Sequence, residues 1–414
     1  MLAALALRNL FRNRRRTGLS LVVVSIGVLS LLLTLGFIRY SFDGLSEAII
    51  RGGLAHLEVA PAAPPGSSGN PLVDRSGSPP AFEGWREVRD RIERRPGVRA
   101  ASAAIQLAGV LMNGQRSVAF AGAALEPDRQ RRLGINVKLR GGAALPDAAP
   151  APGEDQVLLG VDLARALDAG PGDTVVAMVG TASGTLNAVD LSVAGVFTTG
   201  LQELDARVAR VHLATAERLL STDRITSLLV GLEDDADIAT VTTLIEQDLP
   251  ATGAPLAIVD WASRAPFYRQ VRGLYIGIFV FLGAIIGVLV ALSTSNTFQM
   301  SVLERVREFG TLLAMGTDRL QLARLVILEA VWLAIIGGIA GSVLTIATAT
   351  TINALEIEMP PPPAAVDAIT LSVLLEPADF VWAIVFMTLL LILATVPPIT
   401  RIFRLQVVEA LGHV

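Results

Sequence analysis

Four stretches of the chain carry almost nothing but apolar side chains, at 18–39, 273–297, 323–351 and 380–400. Each is long enough, as a helix, to cross a hydrocarbon layer of about 30 Å, which takes about 20 residues. Between the first and second the pattern changes over 40–272 to short alternating runs broken by Gly and Pro, the pattern of a soluble α+β domain. There 55–60, 100–110 and 116–121 read as strands, and 82–95 as an amphipathic helix ending at Pro96-Gly97. A Pro/Ala/Gly stretch at 141–153 marks a boundary. After it come a helix at 161–167, the turn Gly170-Pro171-Gly172-Asp173, strands at 174–179 and 191–197, a helix at 214–220, a strand at 227–232 and a helix at 238–249. This order predicts two lobes, the second inserted into the first. A Pro-, Gly- and Ser-rich segment at 61–80 reads as a flexible opening to the domain.

The placement of Lys and Arg orients the spans, because short loops rich in them stay inside the cell. Arg8, Arg12, Arg14, Arg15 and Arg16 precede the first span within 1–17; the link 298–322 carries Arg305, Arg307 and Arg319; the tail 401–414 carries Arg401 and Arg404. The link 352–379 has no Lys or Arg and contains the run Pro360 to Pro363. Both termini and the 298–322 link are therefore expected in the cytoplasm, with 40–272 and 352–379 outside. The first span follows a basic run as a signal peptide would, but it is longer than a typical apolar core of about 7–15 residues and is expected to stay as an anchor.

Composition agrees with a chain partly in lipid: 52% of its 414 residues are hydrophobic and 17% charged, outside the usual range of a soluble domain. The net charge of −4 implies no nucleic-acid partner, and the absence of cysteine removes disulfides, thiolate metal sites and a Cys nucleophile together. A phosphate-binding loop needs Gly-x-x-x-x-Gly-Lys-Ser/Thr, yet the only lysine is Lys138, in Asn136-Val137-Lys138-Leu139. His56, His212 and His413 are too scattered for a metal site, and no Gly-x-Ser-x-Gly occurs. The chain is expected to be non-catalytic, with no cofactor or metal of its own.

Two stretches outside the spans are amphipathic. On a helical wheel Ala3, Ala6, Leu7, Leu10 and Phe11 fall on one face, with Arg8, Arg12, Arg15 and Arg16 opposite; Leu2, Leu5 and Arg14 break the pattern. This fits a helix lying in the membrane interface, and it also fits a charge cluster that only sets topology. In the 298–322 link Val302, Val306, Phe309 and Leu313 recur at helical spacing, with Glu304, Arg307, Glu308 and Thr311 on the other side. Such a stripe suits docking into a partner's groove or resting on the membrane surface. The Glu304/Glu308 pair reads as a solvated or partner-binding face rather than a catalytic dyad. Gly273/Gly277, Gly283/Gly287 and Gly337/Gly341 are small-residue pairs that let helices approach closely, within one chain or between two. Glu329, ionisable inside the third span, is costly there; a structural pairing with Arg324 or a helix end is favoured over a functional role.

The run Glu304-Arg305-x-Arg307-Glu308-Phe309-Gly310, followed by Leu313-Ala314-Met315-Gly316 and by Leu328-Glu329-Ala330, resembles the signature of the FtsX-like permeases, a superfamily that includes MacB, LolC, LolE and FtsX. So do the opening Ala6-Leu7-Arg8-Asn9-Leu10-x-Arg12-Asn13-x-Arg15-Arg16, the run Val193-Ala194-Gly195-Val196-Phe197-x-Thr199-Gly200 with Glu203 and Asp205 behind it, and the ending Pro397-Pro398-x-x-Arg401-x-x-Arg404 with Glu409-Ala410-Leu411. The resemblance covers essentially the whole chain. It implies a membrane protein of four transmembrane α-helices with a large extracytoplasmic α+β domain, of porter and sabre-like lobes, between the first and second, set in the bacterial inner membrane. It also implies an arrangement of type VII ABC transporters: a second permease, identical or paralogous, and two copies of an ABC ATPase that bind ATP and Mg. The helix 302–314 would be the coupling helix, and ATP turnover inside would open and close the outer domains by mechanotransmission. MacB carries its ATPase fused; here it would be a separate polypeptide. The substrates implied are lipoproteins, amphiphiles or exported peptides, with a periplasmic carrier or adaptor as a further partner. Two other readings remain: an FtsX-type regulator that activates a cell-wall hydrolase, and a membrane-anchored scaffold or sensor.

Overall fold

The computed structural model describes residues 2–10, 12, 14–62, 82–114, 116–135, 138–181, 184–200, 205–247, 249, 255–359 and 369–404. Nearly all of the expected flexible opening at 61–80 lies outside them, as do Glu203, the run Pro360 to Pro363, and the tail with Glu409, Ala410, Leu411 and His413. The first elements are α1 (Leu2–Leu10), α2 (Arg14–Ile49), a π turn at Ile50–Leu54, β1 (Leu57–Pro61), α3 (Trp85–Ile92), β2 (Val98–Asn113), β3 (Arg116–Leu125), α4 (Pro127–Arg132) and β4 (Lys138–Gly142). Next come β5 (Gln156–Gly160), α5 (Val161–Leu167), β6 (Thr174–Gly180), β7 (Leu186–Thr198), β8 (Val208–His212), α6 (Leu213–Leu220), β9 (Ser227–Leu232), α7 (Ile238–Glu246), β10 (Leu256–Asp260) and α8 (Trp261–Arg264). The chain then runs through α9 (Pro266–Glu304), α10 (Val306–Ala314), α11 (Arg319–Leu355), α12 (Pro377–Ala394) and α13 (Val396–Arg404). Two compact units result: one holds 44–270 and 360–369, the other 1–43, 271–359 and 370–414.

In the first unit β10, β1, β9 and the first half of β2 form an antiparallel sheet in that order. With α3 between β1 and β2 and α7 between β9 and β10, this is the split βαβ arrangement. Everything from β3 to β8 is inserted into it. The inserted strands close a ring with the second half of β2, in the order β2, β3, β8, β5, β7, β6 and back to β2. The β3–β8 and β5–β7 pairs are parallel and the others antiparallel, while β4 adds to β7 outside the ring. Alternation fills the ring: Val157 and Leu159, Val175, Ala177 and Val179, Leu191 and Val193, and Ala209 and Val211 are all buried, together with Leu163 and Leu167 of α5. The insertion expected from the sequence is present, but its core is continuous with that of the first sheet. The reason is β2, whose 16 residues serve both halves. At Gly109 a Cβ would lie 2.2 Å from the carbonyl oxygen of Met178, so only glycine lets β2 meet β6.

Among the described residues four helical stretches, each lying mostly in the second unit, are long and apolar enough to cross a membrane: α2 with its π turn, α9, α11, and α12 continuing into α13. Gly337 and Gly341 of α11 face α2, where added Cβ atoms would come within 2.7 Å of Val24 Cγ1 and of the Ser25 carbonyl oxygen respectively. Ser25 Oγ donates to the Gly337 carbonyl at 3.1 Å. This glycine pair therefore packs within one chain. Gly273, Gly277 and Gly283 of α9 have nothing within 4 Å of a built Cβ, and Gly287 has only Leu390 at 3.8 Å. At the end of the bundle away from α1, Arg39 of α2 holds the buried Asp379 at the start of α12 and lies 3.5 Å from Glu376.

Two histidines of the outer domain accept backbone N–H groups through Nδ1, His56 from Leu232 at 3.2 Å and His212 from Ala214 at 3.1 Å. Burial holds both imidazoles below their ordinary value of 6.5. A depressed histidine contributes stability that is present above the unfolded value and is lost as pH falls toward the folded one. Thermal unfolding followed by tryptophan fluorescence is therefore expected to shift down between pH 7.5 and pH 5. The His56→Asn/His212→Asn variant, which keeps an acceptor at both places, is expected to lose that part of the pH dependence.

Candidate functional site

The site is built around Glu329. It lies ten residues into α11, which begins at Arg319, so at about 1.5 Å per residue it is about 15 Å along the helix. It is 6% exposed. Arg324 is five residues away, about 140° round the helix at 3.6 residues per turn, and points to the exposed side. The pairing with Arg324 expected from the sequence is thus replaced by another: Asn9 Nδ2 of α1 donates to Glu329 Oε1 at 2.9 Å, and Arg305 Nη1 donates to the same oxygen at 3.0 Å.

Arg305 sits at the break between α9 and α10, with φ −108 and ψ 13, and its own N–H turns back to the Val302 carbonyl at 3.2 Å. Its guanidinium also donates to Glu308 at 3.2 Å and lies 5.2 Å from the centre of the Phe309 ring. Glu308 in turn accepts from Arg12 at 2.7 Å, and Glu304 accepts from Arg16, with Nη1 at 2.9 Å. Two carboxylates four residues apart thus face two arginines four residues apart. The hydrogen bond from Arg12 chiefly holds the Glu308 carboxyl below its ordinary value of 4.5. The pair is ionised at neutral pH, and its contribution, present above about 4.5, is lost as pH falls through the lowered value.

The amphipathic start of the chain is tied in elsewhere as well. Ala6 and Leu10 are buried, and Trp332 Nε1 donates to the Ala3 carbonyl at 3.1 Å, so α1 packs along α11. Arg8 and Arg15 are exposed. A cavity of about 60 Å³ lies between Asn9, Arg16, Ser20, Thr297, Arg305 and Glu329. It is far below the roughly 300 Å³ of a small-molecule pocket.

The apolar stripe of the link turns onto its own bundle. Phe309 is 1% and Val302 3% exposed, Gly310 is buried, and Val306 and Leu313 are half-buried. The side left outward carries Arg307, Thr311, Ala314 and Met315, the last 74% exposed. Gly316 then takes φ +93 and closes the helix, its N–H bonding the Leu313 carbonyl at 3.1 Å and that of Thr317 the Leu312 carbonyl at 3.0 Å. These two bonds are the Schellman termination that a left-handed glycine allows. Phe309 is therefore a packing residue, and the face left outward at this turn is that of Arg307, Thr311, Ala314 and Met315. The sequence signal that could have found the arrangement is the matched spacing of Arg12/Arg16 and Glu304/Glu308.

Residues 17–248 match the MacB-like periplasmic core domain, and residues 278–407 match the FtsX-like permease C-terminal domain. The chain belongs to the MacB/FtsX-like permeases of ABC transporters. The lipoprotein-releasing system transmembrane protein LolC of Neisseria meningitidis is 26% identical to this permease over 344 residues, 79% of the chain and 75% of that protein. An uncharacterised ABC transporter permease of Methanocaldococcus jannaschii is 30% identical over 153 residues, 36% of the chain and 38% of that protein. Among solved structures, the periplasmic region of MacB from Actinobacillus actinomycetemcomitans aligns with a TM-score of 0.37 and 14% identity, covering 53% of the permease and 95% of that region. The extracellular domain of YknZ, a noncanonic ABC-type transporter from Gram-positive bacteria, aligns with a TM-score of 0.34 and 13% identity, covering 49% and 99%.

Replacing Glu329 by Leu takes the acceptor from Asn9 and from one side of the Arg305 guanidinium, while Glu308 still accepts from Arg305, and is expected to cost about 2 kcal/mol, the loss of hydrogen bonds to a charged group. The exposed Arg12–Glu308 pair is worth at most about 1 kcal/mol. Glu308→Arg is expected to lower thermal stability slightly, and adding Arg12→Glu to restore it. Thermal unfolding of the Glu329→Leu chain in detergent checks the first number, and a double-mutant cycle on Arg12 and Glu308 checks the second.

Proposed function

We propose that this permease is the membrane subunit of a mechanotransmission machine whose ATPase is a separate polypeptide, and that the outward face of α10 receives that ATPase. The observation that carries the reading is the polar cluster at the α9–α10 break. It fixes α10 against α1 and α11 and leaves Arg307, Thr311 and Met315 facing out. A helix held at both flanks and exposed on one face can pass a push from a partner to two spans without melting. In this reading the termini and α10 are cytoplasmic, two ATPase copies bind ATP and Mg, and a second permease, identical or paralogous, completes the complex in the inner membrane. Similarity to LolC along most of the chain favours an acylated substrate, with lipoproteins, amphiphiles and exported peptides as the class.

The test is to purify the chain in nanodiscs with a candidate ABC ATPase from the same genome, and to measure ATP turnover with acylated and unacylated lipoprotein. Stimulation that requires the acyl chains is expected. Turnover indifferent to both moves the reading to peptide export or to control of a cell-wall hydrolase, and no stable complex with the ATPase overturns it. Within this complex Arg307→Glu/Met315→Glu is expected to reduce recovery of the ATPase at least tenfold while leaving the amount of folded permease unchanged. Arg8→Glu, exposed on α1, is the control expected to have no such effect.

A further inference from the structure

The outer domain contains a buried cation without a counter-ion. Arg210 of β8 alternates with Ala209 and Val211, so it leaves the ring on the outer side, where it is 6% exposed. Its Nη2 donates to the Gly52 carbonyl at 2.6 Å and its guanidinium lies 5.1 Å from the centre of the Phe197 ring. Its Nη1 is buried with no hydrogen-bond partner, and no carboxylate pairs with it among the described residues. Burial pushes the group down to about 10, so it is still a cation at neutral pH. A buried charge is ordinarily paired.

Arg210 lines a cavity of about 150 Å³, together with Leu125, Ile135, Leu145, Leu158 and Gln130. The Nε2 of Gln130 is likewise buried with no partner. The other arginine at this cavity, Arg131, is satisfied at the rim by Asp147 at 2.6 Å. The space thus has apolar walls, and two of the side chains that line it carry an unpartnered donor nitrogen closed off from solvent, which a small turn of the side chain brings to the oxygen of a bound molecule. A cavity of about 150 Å³ holds a molecule the size of benzene, about six carbons.

We propose that this pocket binds an organic carboxylate, whose apolar group of about six carbons enters between Leu125, Ile135, Leu145 and Leu158 while its carboxylate accepts from Arg210 Nη1, with Gln130 Nε2 as second donor. Planar guanidinium donors match a carboxylate's two oxygens. The apolar walls reject small inorganic anions, which cannot leave water for them, and the unpaired donors reject a hydrocarbon, which leaves them unpaired. Neither the ATPase nor the α10 turn enters this site, so its fate is separate from that of the proposed function.

The experiment is equilibrium dialysis of radiolabelled hexanoate at pH 7 against the full chain in nanodiscs, with empty nanodiscs as the partition blank. Saturable binding of one hexanoate per chain is expected, with hexanamide competing at least tenfold less well. Arg210→Met, close in volume but uncharged, is expected to weaken binding at least tenfold. Because Arg210 also bonds Gly52, a second variant leaves it in place: Ala144→Trp, at an exposed position lining the cavity, is expected to block entry with the same loss. Hexanoate binding no greater than to empty nanodiscs, equal competition by hexanamide, or unchanged binding in both variants overturns the proposal. Acetyl-leucine and octanoate as competitors separate the two natural sources of this chemistry. Stronger competition by the first assigns a peptide C-terminus and by the second a fatty acid, and either result upholds the carboxylate site.

Discussion

A carboxylate set deep in an apolar helix must be neutralised by its own chain, because a buried charge left alone costs several kcal/mol. Glu329 is that carboxylate, and the Arg-rich end of the bundle is arranged around it. Arg305 can reach it only if the chain breaks after α9, and the break is where α10 begins. Asn9 supplies the second donor, which brings α1 onto α11. Once α1 lies there, Arg12 and Arg16 stand opposite Glu308 and Glu304, and the exposed pairs add register rather than much stability. The bound state of one oxygen thus fixes the placement of three helices.

The outer domain depends on a different constraint. A sheet that ends must cover its edge, and a ring has no edge to cover. The insertion solves this by borrowing half of β2, so that one strand is both the edge of the split βαβ sheet and a stave of the ring. The exchange requires close backbone contact at Gly109. It also gives the domain one core, so the two lobes expected from chain order share their packing.

The elements legible in the sequence were those with a clean period or clear punctuation. The helix at Val161–Leu167 and the strand at Ser227–Leu232 stand where the pattern placed them. The strands β4, β5, β8 and β10 were not read. In β5 both faces are buried, so it shows no alternation, and β10 is half-buried at every position, so neither face stands out. In β8 the buried Arg210 and His212 break the apolar pattern outright. At the candidate site the sequence marks Glu329, the run from Glu304 and the arginines of the first helix as three separate features, whereas Glu329 pairs with residues 24 and 320 positions away. Helical periodicity carries no information at that range, and of the two partners expected, Arg324 or a helix end, Arg324 rested only on its nearness in sequence.

The same separation changes what the run from Glu304 to Gly316 encodes. Glu304 holds Arg16, Arg305 holds Glu329, Glu308 holds Arg12, Phe309 fills the bundle, and Gly316 supplies a left-handed turn. Nearly every distinctive position is therefore occupied in keeping the turn in place. A stripe of apolar residues at helical spacing is more readily explained by packing against the protein's own core than by a partner, and here it packs so. What remains outward is Arg307 and Thr311, which the amphipathic pattern places on the polar side, together with Ala314 and Met315. A face of mixed polarity on a rigid mount can meet a partner and still stand in water when the partner is gone. An apolar stripe exposed to solvent would instead have to be hidden whenever the partner left.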